Sequence, residues 1–149
     1  MDFTFKIDGL DRIEKATKEV QIEINKQLNI ALVASAAKVH AEASKSLTNG
    51  QKSGALYKRG TKTHQASAAG EAPASDTGTL LNSLSFYNFR DKLEAVITTR
   101  LKYAAMLEFG TAKIGARPFM MPAYIKSKEW IGERLNKAVR DGVIKATRK

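Results

Sequence analysis

The sequence predicts an α+β domain in which an antiparallel sheet packs against a long N-terminal helix and a C-terminal helix, with one long flexible loop. Three observations carry that expectation. An apolar stripe with members three or four residues apart runs from Leu10 to Leu47 without a proline, which is the period of a single long helix. Ser85 to Phe89 and Leu93 to Thr99 are rich in aromatic and β-branched residues and meet at Arg90-Asp91-Lys92, which reads as a hairpin. A second helical stripe follows from Pro122 to about Thr147. The order β, long α, short α, ββ, short α, long α places helices against antiparallel strands in one domain spanning residues 1–149.

Taken in order, Met1 to Asp8 alternates Phe3, Phe5 and Ile7 with Thr4 and Lys6, the period of a half-buried strand, and Asp8-Gly9 closes it. The long stripe then contains Leu10, Ile13, Ala16, Val20, Ile24, Leu28, Ala31, Leu32, Ser35, Val39, Ala43 and Leu47. A helix of that extent is about 57 Å long at ~1.5 Å per residue. A compact chain of this size has a diameter of about 38 Å, so the helix must bend, fray or project beyond its own domain. A kink at Gln27 to Asn29 that folds it back is the alternative. Ile22, Ile30, Val33, Ala34 and Ala37 lie off the stripe, so the second half of the helix is apolar or small on nearly every side and suits burial by the sheet and a neighbouring subunit.

Thr48 to Ser75 is rich in Gly, Ser, Thr and Ala and basic, and its only sizeable apolar residues are Leu56 and Tyr57. It reads as a mobile basic loop with no core of its own. Asp76 is placed to cap a short helix carrying Leu80, Leu81 and Leu84. In the last helix Ala123, Ser127, Trp130, Ile131, Leu135, Ala138, Val139 and Val143 form the inward face, and Glu133 and Lys137 are spaced to pair one turn apart.

The stretch Tyr103 to Pro122 is the least generic part of the chain. Tyr103, Met106, Leu107 and Phe109 make a short apolar helix that includes Glu108. Gly110 ends it through a left-handed cap, Pro118 holds Arg117 extended, and Pro122 suits the first position of the last helix. Glu108 and Arg117 are spaced to meet across the intervening loop as an ion pair.

Composition narrows the function classes. The chain of 149 residues has a formal charge of +10 and no cysteine, which excludes disulfides and thiolate metal sites. Its apolar runs are far too short for a membrane span, and its start lacks the basic-then-apolar order of a secretory signal, so the expectation is a protein made and folded in a cytoplasm. Ser35-Ala-Ala-Lys38 and Lys52-Ser53-Gly54 match fragments of penicillin-recognising enzymes, but the larger domain and the Ser-x-Asn element those enzymes need are missing. His40 has no i, i+4 histidine partner, His64 sits among basic residues, and no glycine-rich phosphate loop follows a strand. The expectation is therefore a protein without a catalytic, cofactor or metal site. Nucleic-acid binding is the stronger rival: Lys52, Tyr57, Lys58, Arg59 and Lys62 on a flexible arm are suited to follow a phosphate backbone, although the basic residues are spread along the whole chain.

Two motifs carry a family resemblance. Tyr103-Ala-Ala-Met-Leu-Glu-Phe-Gly-Thr111, followed by Ala116-Arg-Pro-Phe119 and Pro122-Ala123, is one; Ala72-Pro-Ala-Ser-Asp76-Thr-Gly-Thr-Leu80 with Ser83-Leu84 is the other. Together, and in this order, they resemble the tail-completion or head-tail joining proteins of lambdoid and related long-tailed phages and prophages. The resemblance implies a structural virion protein, assembled in the host cytoplasm, that forms a homo-oligomeric ring, of six copies, at the neck. The ring would terminate the tail tube and join it to the head, with tail-tube protein, head-completion or connector proteins and DNA in the channel as its partners and no membrane contact. On that reading Tyr103, Leu107, Glu108, Phe109, Gly110, Arg117, Pro118, Phe119 and Met120, with the outer side of the long helix, supply the subunit interface. The Thr48 to Ser75 arm reaches the tube, the connector or DNA.

Overall fold

The computed structural model describes residues 10–50 and 52–148, and the strand expected over Met1 to Asp8 lies outside them. The described chain runs α1 (Leu10–Asn49), β1 (Leu56–Arg59), β2 (Lys62–Gln65), α2 (Thr79–Ser83), β3 (Leu84–Phe89), a 3-10 turn (Arg90–Lys92), β4 (Glu94–Thr99), α3 (Lys102–Phe109) and α4 (Met120–Thr147). This is the expected α+β class. Among the described residues the strands form two separate antiparallel pairs, β1 with β2 and β3 with β4, rather than one sheet.

α1 is unbroken over 40 residues, about 60 Å, and does not fold back at Gln27 to Asn29. Its buried positions are Gln27, Ala31, Ser35, Ala36, Val39, Ala43 and Leu47. Leaving Ala36 aside, these are strictly four apart. Four residues overshoot a 3.6-residue turn by about 40°, so the buried ridge winds around the helix as it advances. Its last members, Val39, Ala43 and Leu47, join Leu84, Ala104, Phe119 and Ala123 in the core.

Upstream, the ridge meets α4, which lies antiparallel to α1: Ala123 packs near the end of α1, and Gly142 lies against Ile24. The approach at Gly142 is close enough that an added Cβ would come within 2.7 Å of the Ile24 Cα. The buried residues of α4 are Ala123, Ser127, Ala138 and Gly142, all small. The Ser35 and Ser127 hydroxyls each donate to the carbonyl four residues back, at 2.8 Å, so neither carries an unmet polar group into the contact.

This close helix pairing corrects several expectations. Trp130, Val139 and Val143, expected on the inward face of α4, are exposed, because small residues occupy the contact and the bulky ones flank it. Arg12 to Glu19 of α1 are exposed, Ile13 and Ala16 included; Ile22, Ile30 and Val33 farther along are not covered by this subunit's own elements, among the described residues. Glu133 and Lys137 are both exposed and do not pair. Asp76 does not cap α2: the chain turns at Gly78, φ 75°, and the helix starts beyond it, while Asp76 lies 4.0 Å from His64 Nδ1.

The hairpin expectation holds. β3 and β4 pair from Leu84↔Thr99 to Phe89↔Glu94. Their α1-facing side is fastened by Asn29, which donates to the Arg90 carbonyl and accepts from Asn88, and by His40, 3.3 Å from the Leu84 carbonyl and edge-on to Phe86.

Candidate interaction surface

α3 ends at Gly110, whose φ of 75° is positive as expected but whose ψ of −179° is extended, a combination open in practice only to glycine. A Cβ here would also lie 2.9 Å from both the Ala116 nitrogen and the Ile114 carbonyl oxygen. The loop is closed by the Thr111 N–H donating to Ile114 O at 2.8 Å and the Arg117 N–H donating to Leu107 O at 2.6 Å.

Glu108 does not pair with Arg117. Its carboxylate accepts from the N–H groups of Phe119, Met120 and Met121, at 2.8, 3.0 and 2.8 Å. α4 starts at Met120, two residues before the expected Pro122, which now occupies the third helical position. A helix leaves its first four N–H groups without internal partners. Here one carboxylate answers three, and Pro122 lacks the fourth. The negative charge also faces the positive end of the helix dipole. Arg117 turns the other way, its Nε donating to Ser67 O at 3.2 Å and its Nη1 to Gly115 O at 3.1 Å, which ties the loop to the segment before α2.

The residues expected at a subunit interface therefore divide. Phe119, 1% exposed, is part of this subunit's own core, and Glu108 and Arg117 are spent on internal contacts. Leu107, Gly110, Pro118 and Met120 are half-buried. Tyr103 and Phe109 face solvent, Phe109 at 79% exposure. Met106, Met121, Tyr124 and Ile125 are exposed as well and belong to the same region. The sequence signal for the last three was the near-continuous apolar run from Phe119 to Ile125, too wide for a single buried helix face.

Between these elements lies an apolar groove of about 410 Å³. α1 lines it with Leu32, Ser35, Ala36 and Val39, β4 with Ala95 and Ile97, and the end of α3 and start of α4 with Phe109, Met120, Met121, Tyr124 and Ile131. Ala95 and Ile97 alternate along β4, so they share the face that points into it.

The segment expected to be a structureless basic arm contains a hairpin. β1 and β2 pair from Leu56↔Gln65 to Arg59↔Lys62 around Gly60, φ 61°. Its base is clasped from two sides. Lys52, expected to meet a partner, instead donates from Nζ to Ala72 O at 2.5 Å and to Ser46 O in the last turn of α1 at 3.3 Å. Partial burial lowers its ammonium pKa, and nearby Glu71 opposes that shift. Glu71 accepts from Ser53 Oγ at 2.5 Å and from the N–H groups of Ala68 and Ser53 at 2.9 and 3.0 Å. Those bonds, that of the Ser53 hydroxyl first, hold its carboxyl below the usual range. Of the expected arm contacts, Tyr57, Lys58 and Lys62 are exposed on the strands, and the backbone of Arg59 pairs with that of Lys62.

Among the described residues no group of three or more His, Asp or Glu side chains is gathered to hold a metal ion. The Ser35 hydroxyl is bonded to a helix carbonyl, and Lys38 pairs with Glu42 at 3.3 Å, so the Ser-x-x-Lys match has no nucleophile and base in contact. No described helix is long and apolar enough to cross a membrane. Compared with protein-family models, curated proteins and solved structures, the chain finds no match, so its likeness to the phage tail-completion proteins rests on the motif residues themselves.

Proposed function

We propose that this chain is a structural subunit of a long-tailed phage or prophage that assembles with copies of itself into a ring at the head-tail joint, terminating the tail tube. The observation that carries the reading is the exposed apolar surface around the groove, formed by Phe109, Met121 and Tyr124. Soluble monomers rarely leave such a contiguous patch uncovered. The two sequence motifs supply the virion setting, and one of them, Tyr103 to Phe119, contributes Phe109 to that surface. A subunit with two different complementary patches closes into a ring when the rotation between copies permits it.

Sedimentation velocity of the purified protein, alone and mixed with tail-tube protein, tests this. The expected result is a discrete oligomer. Phe109→Asp converts it to a monomer with an unchanged circular dichroism spectrum, since the side chain adds nothing to the subunit's own core. A wild-type protein that stays monomeric at every concentration, with and without tube protein, refutes the proposal.

A second reading is nucleic-acid binding through the β1–β2 hairpin, favoured by the exposure of Tyr57, Lys58 and Lys62 on adjoining strands. It predicts a gel shift with DNA that weakens steeply with salt and with Lys58→Ala plus Lys62→Ala. No shift at low salt eliminates it.

A further inference from the structure

We infer that the flank of α4 turned away from the apolar groove binds single-stranded nucleic acid, with Trp130 stacking on a base and Lys126, Arg134, Lys137 and Arg148 answering the phosphates. This surface is distinct from the groove and from the β1–β2 hairpin, and the inference goes beyond the ring reading.

Helical geometry separates the two flanks. Lys126, Trp130, Lys137 and Arg148 lie about 60–100° to one side of the buried Ser127, whereas Met121 and Tyr124, which line the groove, lie about 60–120° to the other. Arg134 falls between them, about 20° from Ser127 on the basic side. From Lys126 to Arg148 the line of cations runs about 33 Å. Lys126, Lys137 and Arg148 are exposed and Arg134 is half-buried. None of the four forms an ion pair with a described side chain, and the Arg134 Nε is shut away from solvent without a hydrogen-bond partner among the described residues. Glu133 and Asp141 line the hollows beside Arg134 and Lys137 but pair with neither. The charge of this flank is left uncompensated, so its field draws a polyanion.

Trp130 decides which polyanion. It is 38% exposed and takes no part in the α1–α4 contact, which Ala123, Ser127, Ala138 and Gly142 make. With Glu133, Arg134 and Lys137 it lines an open hollow of about 210 Å³. An aromatic ring set among cations is the pairing that follows unstacked bases and their phosphates together. A duplex keeps its bases stacked on one another, and an acidic protein supplies charge without bases, so a single strand uses both features of the flank.

Trp130 is the chain's only tryptophan, so its fluorescence reports on this flank alone. Titrating the full-length protein with single-stranded oligodeoxythymidine at low salt is expected to quench that emission in step with the anisotropy of a labelled oligonucleotide. Four phosphates neutralised on a single strand give a slope of log K against log salt of about −3, so binding should weaken about fiftyfold between 50 and 200 mM salt. Lys126→Ala plus Lys137→Ala should halve that slope, and Trp130→Ala should weaken binding about tenfold, whereas Lys58→Ala plus Lys62→Ala should change neither. Glu133→Gln removes an acid from the hollow and should tighten binding, a gain that misfolding cannot imitate. Binding without quenching, binding lost with the hairpin lysines, a duplex bound as tightly, or equal competition by polyglutamate overturns the inference. So does the absence of binding at low salt.

Discussion

Replacing Glu108 with alanine removes the single group that satisfies the start of α4. Three N–H groups, those of Phe119, Met120 and Met121, lose a charged acceptor at 2.8–3.0 Å. Hydrogen bonds to a charged group contribute about 1.5–3 kcal/mol each, but these three share one carboxylate, and the Met121 N–H is exposed enough for water to replace its partner, so their sum is an upper bound. A capping residue alone is worth about 0.5–2 kcal/mol, and the lost charge at the helix dipole about 0.3–1 kcal/mol. Together these place Glu108→Ala at about 3 kcal/mol, a large part of the total for a domain of this size. Urea denaturation followed by helical circular dichroism measures it. Glu108→Gln, which keeps one acceptor oxygen and loses the charge, should fall about halfway. Glu133→Ala, which removes an exposed, unpaired carboxylate on the same helix, should change stability by less than about 0.5 kcal/mol. If Glu108→Ala is as mild as Glu133→Ala, the carboxylate is not what holds α3 to α4.

Two glycines of α4 should respond to alanine with opposite signs: Gly132 faces open space and gains about 1 kcal/mol in helix propensity, while Gly142 lies against the Ile24 backbone and loses about 1–3 kcal/mol. Thermal unfolding of the two variants checks this. Phe119→Ala should cost the subunit about 3–5 kcal/mol, whereas Phe109→Ala should leave subunit stability within about 0.5 kcal/mol and weaken only self-association, read by chemical denaturation and sedimentation. The Glu71 clasp should open on acidification. Its folded pKa is depressed, so its stabilisation is complete above the unfolded value of about 4.3 and is lost as the pH falls through the lower folded value. The protection factors of the Ser53 and Ala68 amides, taken against the intrinsic exchange rate at each pH, should fall there in the wild type and already be low at neutral pH in Glu71→Gln.

Periodicity made α1, α4 and the β3–β4 hairpin legible, because each holds enough residues for a repeat to outweigh local noise. It did not show that the α1–α4 contact would be made by small residues, and so it placed Trp130, Val139 and Val143 inside. Bulk is a guide to burial only where there is room for it. Glu108 and Arg117, expected to pair with each other, take different partners. Opposite charges near each other in sequence suggested an ion pair, while the bare N–H groups at a helix start, a requirement of the backbone, claimed the acid first. The β1–β2 hairpin was hidden by its polarity, since Leu56–Arg59 and Lys62–Gln65 carry almost no apolar alternation and are defined by backbone pairing and by the clasp at their base. Exposure depends on the partner elements of the fold, so Phe119 and Phe109, both in the apolar motif, could not be told apart until both had neighbours.

The four-residue spacing along α1 acts like the thread of a screw. Inserting one residue between Ala31 and Val39 would turn everything beyond it by about 100° and swing Val39, Ala43 and Leu47 out of the core, whereas inserting four would leave them about 40° from where they began. Drift in the length of this helix is thus permitted only in whole turns, or ahead of Val20, where Arg12 to Glu19 are exposed.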